Sequence, residues 1–211
     1  MFSEFAKVSS ATWGVIVALL LVGIVVFAVS KDKKRWTARM LANGALCIAL
    51  STVLSFITLY KMPQGGSITL ASMLPMFLFA YAYGVGPGML VGAAYGFVQF
   101  LQGGLYFVHP VELLLDYPLA FAMLGLAGLS SKFSDQWGMI PGIILGTFGR
   151  FVCAFLSGLI FFGMYAPEGQ NVVIYSMVYN GLYLVPEAII CIVLAMIPQI
   201  RQLAKRLALQ D

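Results

Sequence analysis

The chain has 211 residues, 61% of them hydrophobic and only 9% charged, with a formal net charge of +4. So few charges cannot cover a soluble core of this length, and apolar runs of about twenty residues, each enough to cross a bilayer, recur almost throughout. A soluble domain is excluded, and the basic residues, set in short segments between apolar runs, carry orientation and not nucleic-acid binding.

Residues 1–11 are short and polar. The run Thr12 to Val29 reads as a first transmembrane helix; it has neither the positive start nor the small-residue cleavage site of a signal peptide, so it is expected to be retained. Lys31-Asp32-Lys33-Lys34-Arg35 follows, with Trp36 as an interfacial aromatic and Arg39 just beyond. A second helix, 38–59, carries Ala38, Ala42, Ala45 and Ala49 on one face. In lipid such a stripe lets another helix approach closely, either within the chain or on a partner protein. Tyr60 to Ser67 is rich in turn formers and is expected to be a loop that serves as a lid. A third helix is expected over 68–83 with Pro75 inside it, then a tight turn at Gly84-Val85-Gly86-Pro87. The fourth, 88–101, bears Gly88, Gly92 and Gly96 in small-xxx-small steps that indicate close packing.

The fifth helix opens at His109-Pro110-Val111-Glu112-Leu113-Leu114-Leu115-Asp116-Tyr117-Pro118 and runs to Leu129. Glu112 and Asp116, four residues apart, share a helix face. A carboxylate near the centre of a membrane helix costs roughly 2.5 to 3.5 kcal/mol, so it tends to be paired, hydrated or used by a ligand. Pro110 suits a first helical turn, whereas Pro118 leaves the carbonyl of Leu114 without its donor and predicts a local break beside a cavity. The alternative places Glu112 at headgroup level and pairs Asp116 with an Arg. The sixth helix, 138–164, has Gly138, Gly142 and Gly146 on one face and Arg150 near its middle. Arg150 calls for a carboxylate, Asp116 or Glu187, or for an anionic ligand group.

In the seventh helix, 172–197, Tyr175, Tyr179, Asn180 and Tyr183 share one broad face. Tyr175 also suits an interfacial belt, but Asn180 lies too deep for that. Pro186 and Glu187 interrupt the apolar run, and the tail holds Arg201, Lys205 and Arg206. Cys47, Cys153 and Cys191 have neither metal nor disulfide spacing and read as small core residues. His109 is the only histidine, which excludes zinc–histidine clusters and serine–histidine triads within one chain.

With seven helices and an external N-terminus, the cytoplasmic side receives Lys31, Lys33, Lys34, Arg35, Arg39, Lys132, Arg201, Lys205 and Arg206, while the outer side keeps Lys7 and Lys61. The positive-inside rule selects this orientation, with the C-terminus cytoplasmic and a cavity opening outward. One or two carboxylates, an Arg, an Asn, several Tyr and Phe161 with Phe162 suit a flat ligand bearing positive charge, since a cation–π contact contributes about 0.5 to 2 kcal/mol. Asn180 and Asp116 supply donor and acceptor groups for a heterocycle edge. No G-x-x-x-x-G-K-[ST] phosphate cradle occurs, so any ATP energy must come from a partner. A nucleophile–base pair is also lacking, and the chain is not read as an enzyme.

Four blocks of the chain, Met62-Pro63-Gln64-Gly65-Gly66-Ser67, His109 to Tyr117, Phe161 to Gly169 and Ile174 to Asn180, resemble the thiamine-specific S component of energy-coupling factor (ECF) transporters, in order and at family-like spacing from about Arg39 to the C-terminus. The resemblance implies an all-α integral membrane protein: a six-helix substrate-binding bundle over residues 38–211, preceded in residues 1–37 by one additional N-terminal transmembrane helix and a basic cytoplasmic loop. It implies a cell-membrane subunit that captures thiamine outside the cell and docks on a transmembrane coupling protein with two ATPase subunits, without a cofactor of its own. By position, Asp116 would read the aminopyrimidine, followed by Tyr117; Arg150 would be the family's basic residue, Gly158 its close-packed glycine, Phe162 its stacking aromatic, and Tyr175 and Asn180 its polar pair, with Tyr179 beside them. Ala45 and Ala49 match the family's Ala-x-x-x-Ala docking motif. Two departures stand out: Ala154 occupies a position where some members carry histidine, and the helix 12–29 lies outside the six-helix pattern. The rival class is a stand-alone proton-coupled carrier for thiamine or a related cationic heterocycle, using Glu112 or Asp116.

Overall fold

The computed structural model describes residues 36–103, 109–132 and 138–209. The expected helix 12–29, the basic run 31–35 and Tyr106-Phe107-Val108 lie outside these described residues.

Helix α1, Ala38–Phe56, starts at Thr37, whose extended backbone and side-chain oxygen accepting from Met40 N make an N-cap. Its buried residues, Met40, Gly44, Cys47 and Ser51, recur at steps of four, three and four, the period of one helix face. Leu41, Leu46, Leu50, Val53 and Phe56 are exposed. Ala38, Ala42, Ala45 and Ala49 are exposed too, so among the described residues no helix packs on the alanine stripe.

Next comes a β-hairpin. Strand β1, Thr58–Lys61, pairs antiparallel with β2, Ser67–Thr69, with Tyr60 opposite Ile68 and Lys61 opposite Ser67. Gly65 and Gly66 both have positive φ, at 99° and 80°, which closes the turn. The expected loop is thus a structured flap. Its signal was the Pro-Gln-Gly-Gly cluster between two runs rich in β-branched and aromatic residues.

The third expected helix is correspondingly shorter. After β2 the chain reverses at Ala71, φ 57°, and α2 covers only Leu74–Tyr83, with Pro75 in its first turn and not in its interior. Its ten residues rise about 15 Å, half a bilayer. All ten are buried, so α2 is the centre of the core, packed by α1, α3, α4 and α7.

A positive-φ Gly84 turns the chain into α3, Val85–Gln102, which takes in the turn expected over 84–87. On its face against α4, a Cβ at Gly92 would lie 2.4 Å from the Phe121 carbonyl oxygen, and one at Gly96 would lie 2.5 Å from that of Tyr117. The glycine steps therefore let two backbones touch.

Helix α4, Pro110–Ser131, changes pitch along its length. His109 and Glu112 form a capping box, with Pro110 in the first turn. Leu115–Leu119 is a π-helical turn that contains Pro118, and the Ala120 N–H reaches back to the Leu115 carbonyl. Proline has no N–H to give, so the ladder shifts by one residue instead of breaking. A 3-10 segment, Met123–Lys132, follows.

Helices α5, Ile140–Phe161, and α6, Val172–Ala195, run against each other. Gly142 and Gly146 of α5 face α4, whereas Gly138 lies before the helix at φ 53° and leaves the expected stripe. Asn171 caps α6 by accepting from Val173 N at 2.8 Å, and Pro186 is held inside α6 without ending it. The tail forms one more helix, α7, Pro198–Leu209.

Among the described residues α1, α4, α5 and α6 are long and apolar enough to cross a membrane. Their exposed Leu, Ile, Val and Phe side chains form the lipid-facing surface of an all-helical, multi-pass membrane protein.

Candidate functional site

A cavity of about 720 Å³ opens at the end of the bundle where the hairpin lies. That is the size of a small-molecule pocket. Its walls are the end of α1, the hairpin tip, the ends of α3 and α5, the start of α4 and the first half of α6. All eight residues read from the sequence as substrate-binding, Asp116, Tyr117, Arg150, Gly158, Phe162, Tyr175, Tyr179 and Asn180, line it.

The π-helical turn of α4 presents Asp116, and Ser157 Oγ of α5 donates to Asp116 Oδ2 at 2.7 Å. One turn earlier, Glu112 also reaches the wall, but it is buried and accepts from His109 N as part of the cap. The two carboxylates share a face as their spacing requires, and the first is engaged by its own helix start.

Arg150 does not use either carboxylate proposed from the sequence. Its guanidinium carbon lies 4.1 Å from the centroid of Phe121, a cation–π contact, and Phe121 meets Tyr95 edge-on. Glu187 is committed elsewhere: Thr69 N, Thr69 Oγ1, Ser72 N and Ser72 Oγ all donate to it. Those donors belong to the inner end of the hairpin and the turn into α2. Backbone that is neither helix nor closed sheet survives at membrane depth only when protein satisfies it, and Glu187 does so here. The interruption read at Pro186-Glu187 is thus the anchor of the flap.

Asn180 is more committed than its position in the sequence implied. Its Nδ2 donates to the Ala154 and Ser176 carbonyls at 3.2 and 2.9 Å, and its Oδ1 accepts from Tyr183 OH at 2.9 Å. It is 6% exposed. The bond to Ala154 braces α6 against α5 and the other two stay within α6, so the two donor protons expected for a heterocycle edge are already used. Gly158 permits that approach, because a Cβ there would sit 2.3 Å from Ser176 Oγ.

Tyr179 and Tyr175 hold the flap. Tyr179 OH accepts from Gln64 N at 2.8 Å and donates to the Gly65 carbonyl at 2.9 Å, and Tyr175 OH lies 3.4 Å from Gln64 Oε1. The hairpin tip is thereby tied across the cavity mouth. Of the two phenylalanines, Phe162 lines the cavity and stacks near Tyr165, while Phe161 turns away to stack on His109 at 5.3 Å.

One wall was missed in the sequence. Ser55 of α1 with Gln99 and Gln102 of α3 lines the cavity, and Ser55 Oγ lies 3.2 Å from Gln102 Oε1. Two glutamines three residues apart near the end of an apolar helix were the available signal. Ala154 lines the cavity where the resemblance allowed a histidine. Cys47, Cys153 and Cys191 are buried and free, and no metal-binding group of His, Cys, Asp and Glu occurs among the described residues. Ala45 and Ala49 are remote from the cavity walls, on the outer face of α1.

Comparison with known proteins places this geometry. Residues 41–207 match the family model described as thiamine transporter protein (Thia_YuaJ). The thiamine transporter ThiT of Bacillus subtilis (strain 168) is 37% identical over 160 residues, covering 70% of this chain and 83% of that protein. ThiT of Lacticaseibacillus paracasei is 32% identical over 123 residues, 52% of this chain and 61% of its relative. A solved structure of ThiT from Listeria monocytogenes superposes with a TM-score of 0.67 at 27% identity, covering 79% of this chain and 93% of that one. Sequence match over most of the chain and a common fold lead to one conclusion: this chain belongs to the thiamine transporter (Thia_YuaJ) family.

Proposed function

We propose that this protein is the substrate-binding subunit of an ECF-type importer, taking thiamine from outside the cell into the hairpin-covered cavity and passing it on with an ATP-driven module. The observation that carries the reading is Asp116, placed on the cavity wall by a π-helical turn and oriented by Ser157, with Tyr117, Phe162, Tyr175 and Tyr179 around the same space. A carboxylate matches the exocyclic amine of the aminopyrimidine, and aromatic faces match the thiazolium cation. Arg150, whose guanidinium is stacked and not ion-paired to Asp116 or Glu187, would face the hydroxyethyl end. Asn180 and Gly158 act by fixing the α5–α6 distance.

Nine basic residues against two favour the hairpin end as the outer side. The chain has no phosphate cradle of its own, so in this reading the ATP energy comes from ATPase subunits joined through a coupling protein. Ala45 and Ala49, exposed on α1, offer that protein a close-approach surface. Fluorescence titration of the purified protein with thiamine, paired with uptake into proteoliposomes, tests the proposal. Binding without accumulation is the expected result; accumulation by this protein alone would establish a proton-coupled carrier instead.

Two substitutions separate capture from delivery. Ala45→Trp or Ala49→Trp is expected to leave thiamine affinity within about twofold and to abolish uptake by the complete complex, because the bulk blocks a helix approach remote from the cavity. An equal loss of binding would place the stripe in the fold and not at a partner. Tyr179→Phe removes two hydrogen bonds to the flap. At roughly 1 kcal/mol each, thiamine dissociation should accelerate about five- to thirtyfold in stopped-flow measurements, with a smaller change in association.

A further inference from the structure

Helix α7 presents two different faces. Ala204 is 1% exposed, and Ile200 and Leu207 pack beside it on the core around α2. Leu203, adjacent to Leu207 around the helix, is 47% exposed and extends the apolar arc past the part that protein covers. Arg206, three residues on, shares that flank, and Lys205 is exposed on the other side. Pro198–Leu209 contains Arg201, Lys205 and Arg206 and no acidic residue.

The location follows from α6. Its first half lines the cavity, its outer face exposes Val185, Ile189 and Val193, and past its end Met196 and Ile197 remain exposed at 60% and 39%. The lipid-facing surface of a membrane span therefore runs without interruption into α7 and ends in cations. Trp36 and Arg39, at the start of α1, add an exposed aromatic and another basic residue at the same end of the bundle.

We propose that α7 is an interfacial helix that seats Leu203 in the bilayer and binds anionic phospholipid headgroups through Arg206 and Lys205, at the end of the molecule opposite the cavity. An apolar strip flanked by charges of one sign is the pattern that lies in the headgroup plane, and anionic lipid complements the charge. The inference concerns the lipid environment and stands apart from which ligand the cavity takes.

The test uses the full-length protein with a single environment-sensitive fluorophore on Leu203→Cys, since the three native cysteines are buried. Gln202→Cys, on an exposed position of the same helix, is the water-facing control. In phosphatidylglycerol-rich vesicles the probe at 203 should be blue-shifted and shielded from an aqueous quencher; in phosphatidylcholine alone the shielding should fall, and the control should stay quenched throughout. Titrating phosphatidylglycerol in neutral micelles, Lys205→Gln with Arg206→Gln should weaken the response by roughly fivefold per cation. Identical quenching at 203 and 202 in both vesicles would overturn the proposal. So would shielding that requires the coupling module and ignores lipid charge, because the face would then belong to a protein partner. The lipid comparison on Leu203→Cys decides the matter even if the double variant does not fold.

Discussion

Asp116→Asn is expected to lower thiamine affinity ten- to hundredfold while leaving the melting temperature of the ligand-free protein nearly unchanged. The affinity term is the loss of a charge-assisted hydrogen bond to the ligand amine, about 1.5 to 3 kcal/mol. The stability term is small because the partner of Asp116 within the protein is Ser157, at 2.7 Å, and an asparagine oxygen accepts from the same hydroxyl. Had Asp116 served only to neutralise Arg150, the same change would have left a buried charge unpaired and lowered stability. Melting temperature and thiamine titration on one sample check both parts. A variant with unchanged affinity and a clearly lower melting point would refute the ligand role of Asp116.

Glu187→Ala should do the opposite. Four donors from Thr69 and Ser72 converge on this carboxylate, and Glu187 is 2% exposed. Its removal leaves the Thr69 N–H buried without an acceptor, at roughly 1 to 3 kcal/mol, while the Ser72 N–H keeps only Thr69 Oγ1 at 3.2 Å. The expected loss is therefore on the order of 1 to 3 kcal/mol, seen as a lower ligand-free melting temperature and faster amide exchange at 69–72. Thiamine affinity should fall with it, because the flap that Tyr179 ties across the mouth has lost its root. Glu187→Gln keeps one acceptor oxygen and should give a smaller effect on both measurements. Undiminished stability in Glu187→Ala would show that the flap is anchored by its own hairpin and not by α6.

The contrast between these two carboxylates shows how much of the site was legible beforehand. Asp116 stood out as an expensive group in an apolar run and Glu187 as an interruption of one, which are local properties of composition. Which one lines the cavity and which one holds backbone was not local. The donors to Glu187 lie 115 and 118 positions away, on a segment whose strand structure turn residues alone did not reveal. Arg150 illustrates the same limit: the sequence named two carboxylates for it, and packing put it over Phe121. Asn180 was singled out correctly as deep and polar, yet its amide is taken by Ala154, Ser176 and Tyr183.

The family resemblance named the eight residues that line one cavity; chain composition and apolar periodicity by themselves determined a helical membrane protein, the approximate spans and the close-packing glycines. These are consequences of bilayer thickness and of helix period, which act within a few turns of chain. Only the tertiary structure decided that Ile68 and Thr69 belong to a strand rather than to the start of a helix, that α2 is a buried half-length helix, that Pro118 widens a turn instead of breaking it, and that the alanines of α1 face outward. Each of those outcomes depends on where a backbone polar group or a methyl group finds its partner, and the partners are supplied by segments distant in sequence.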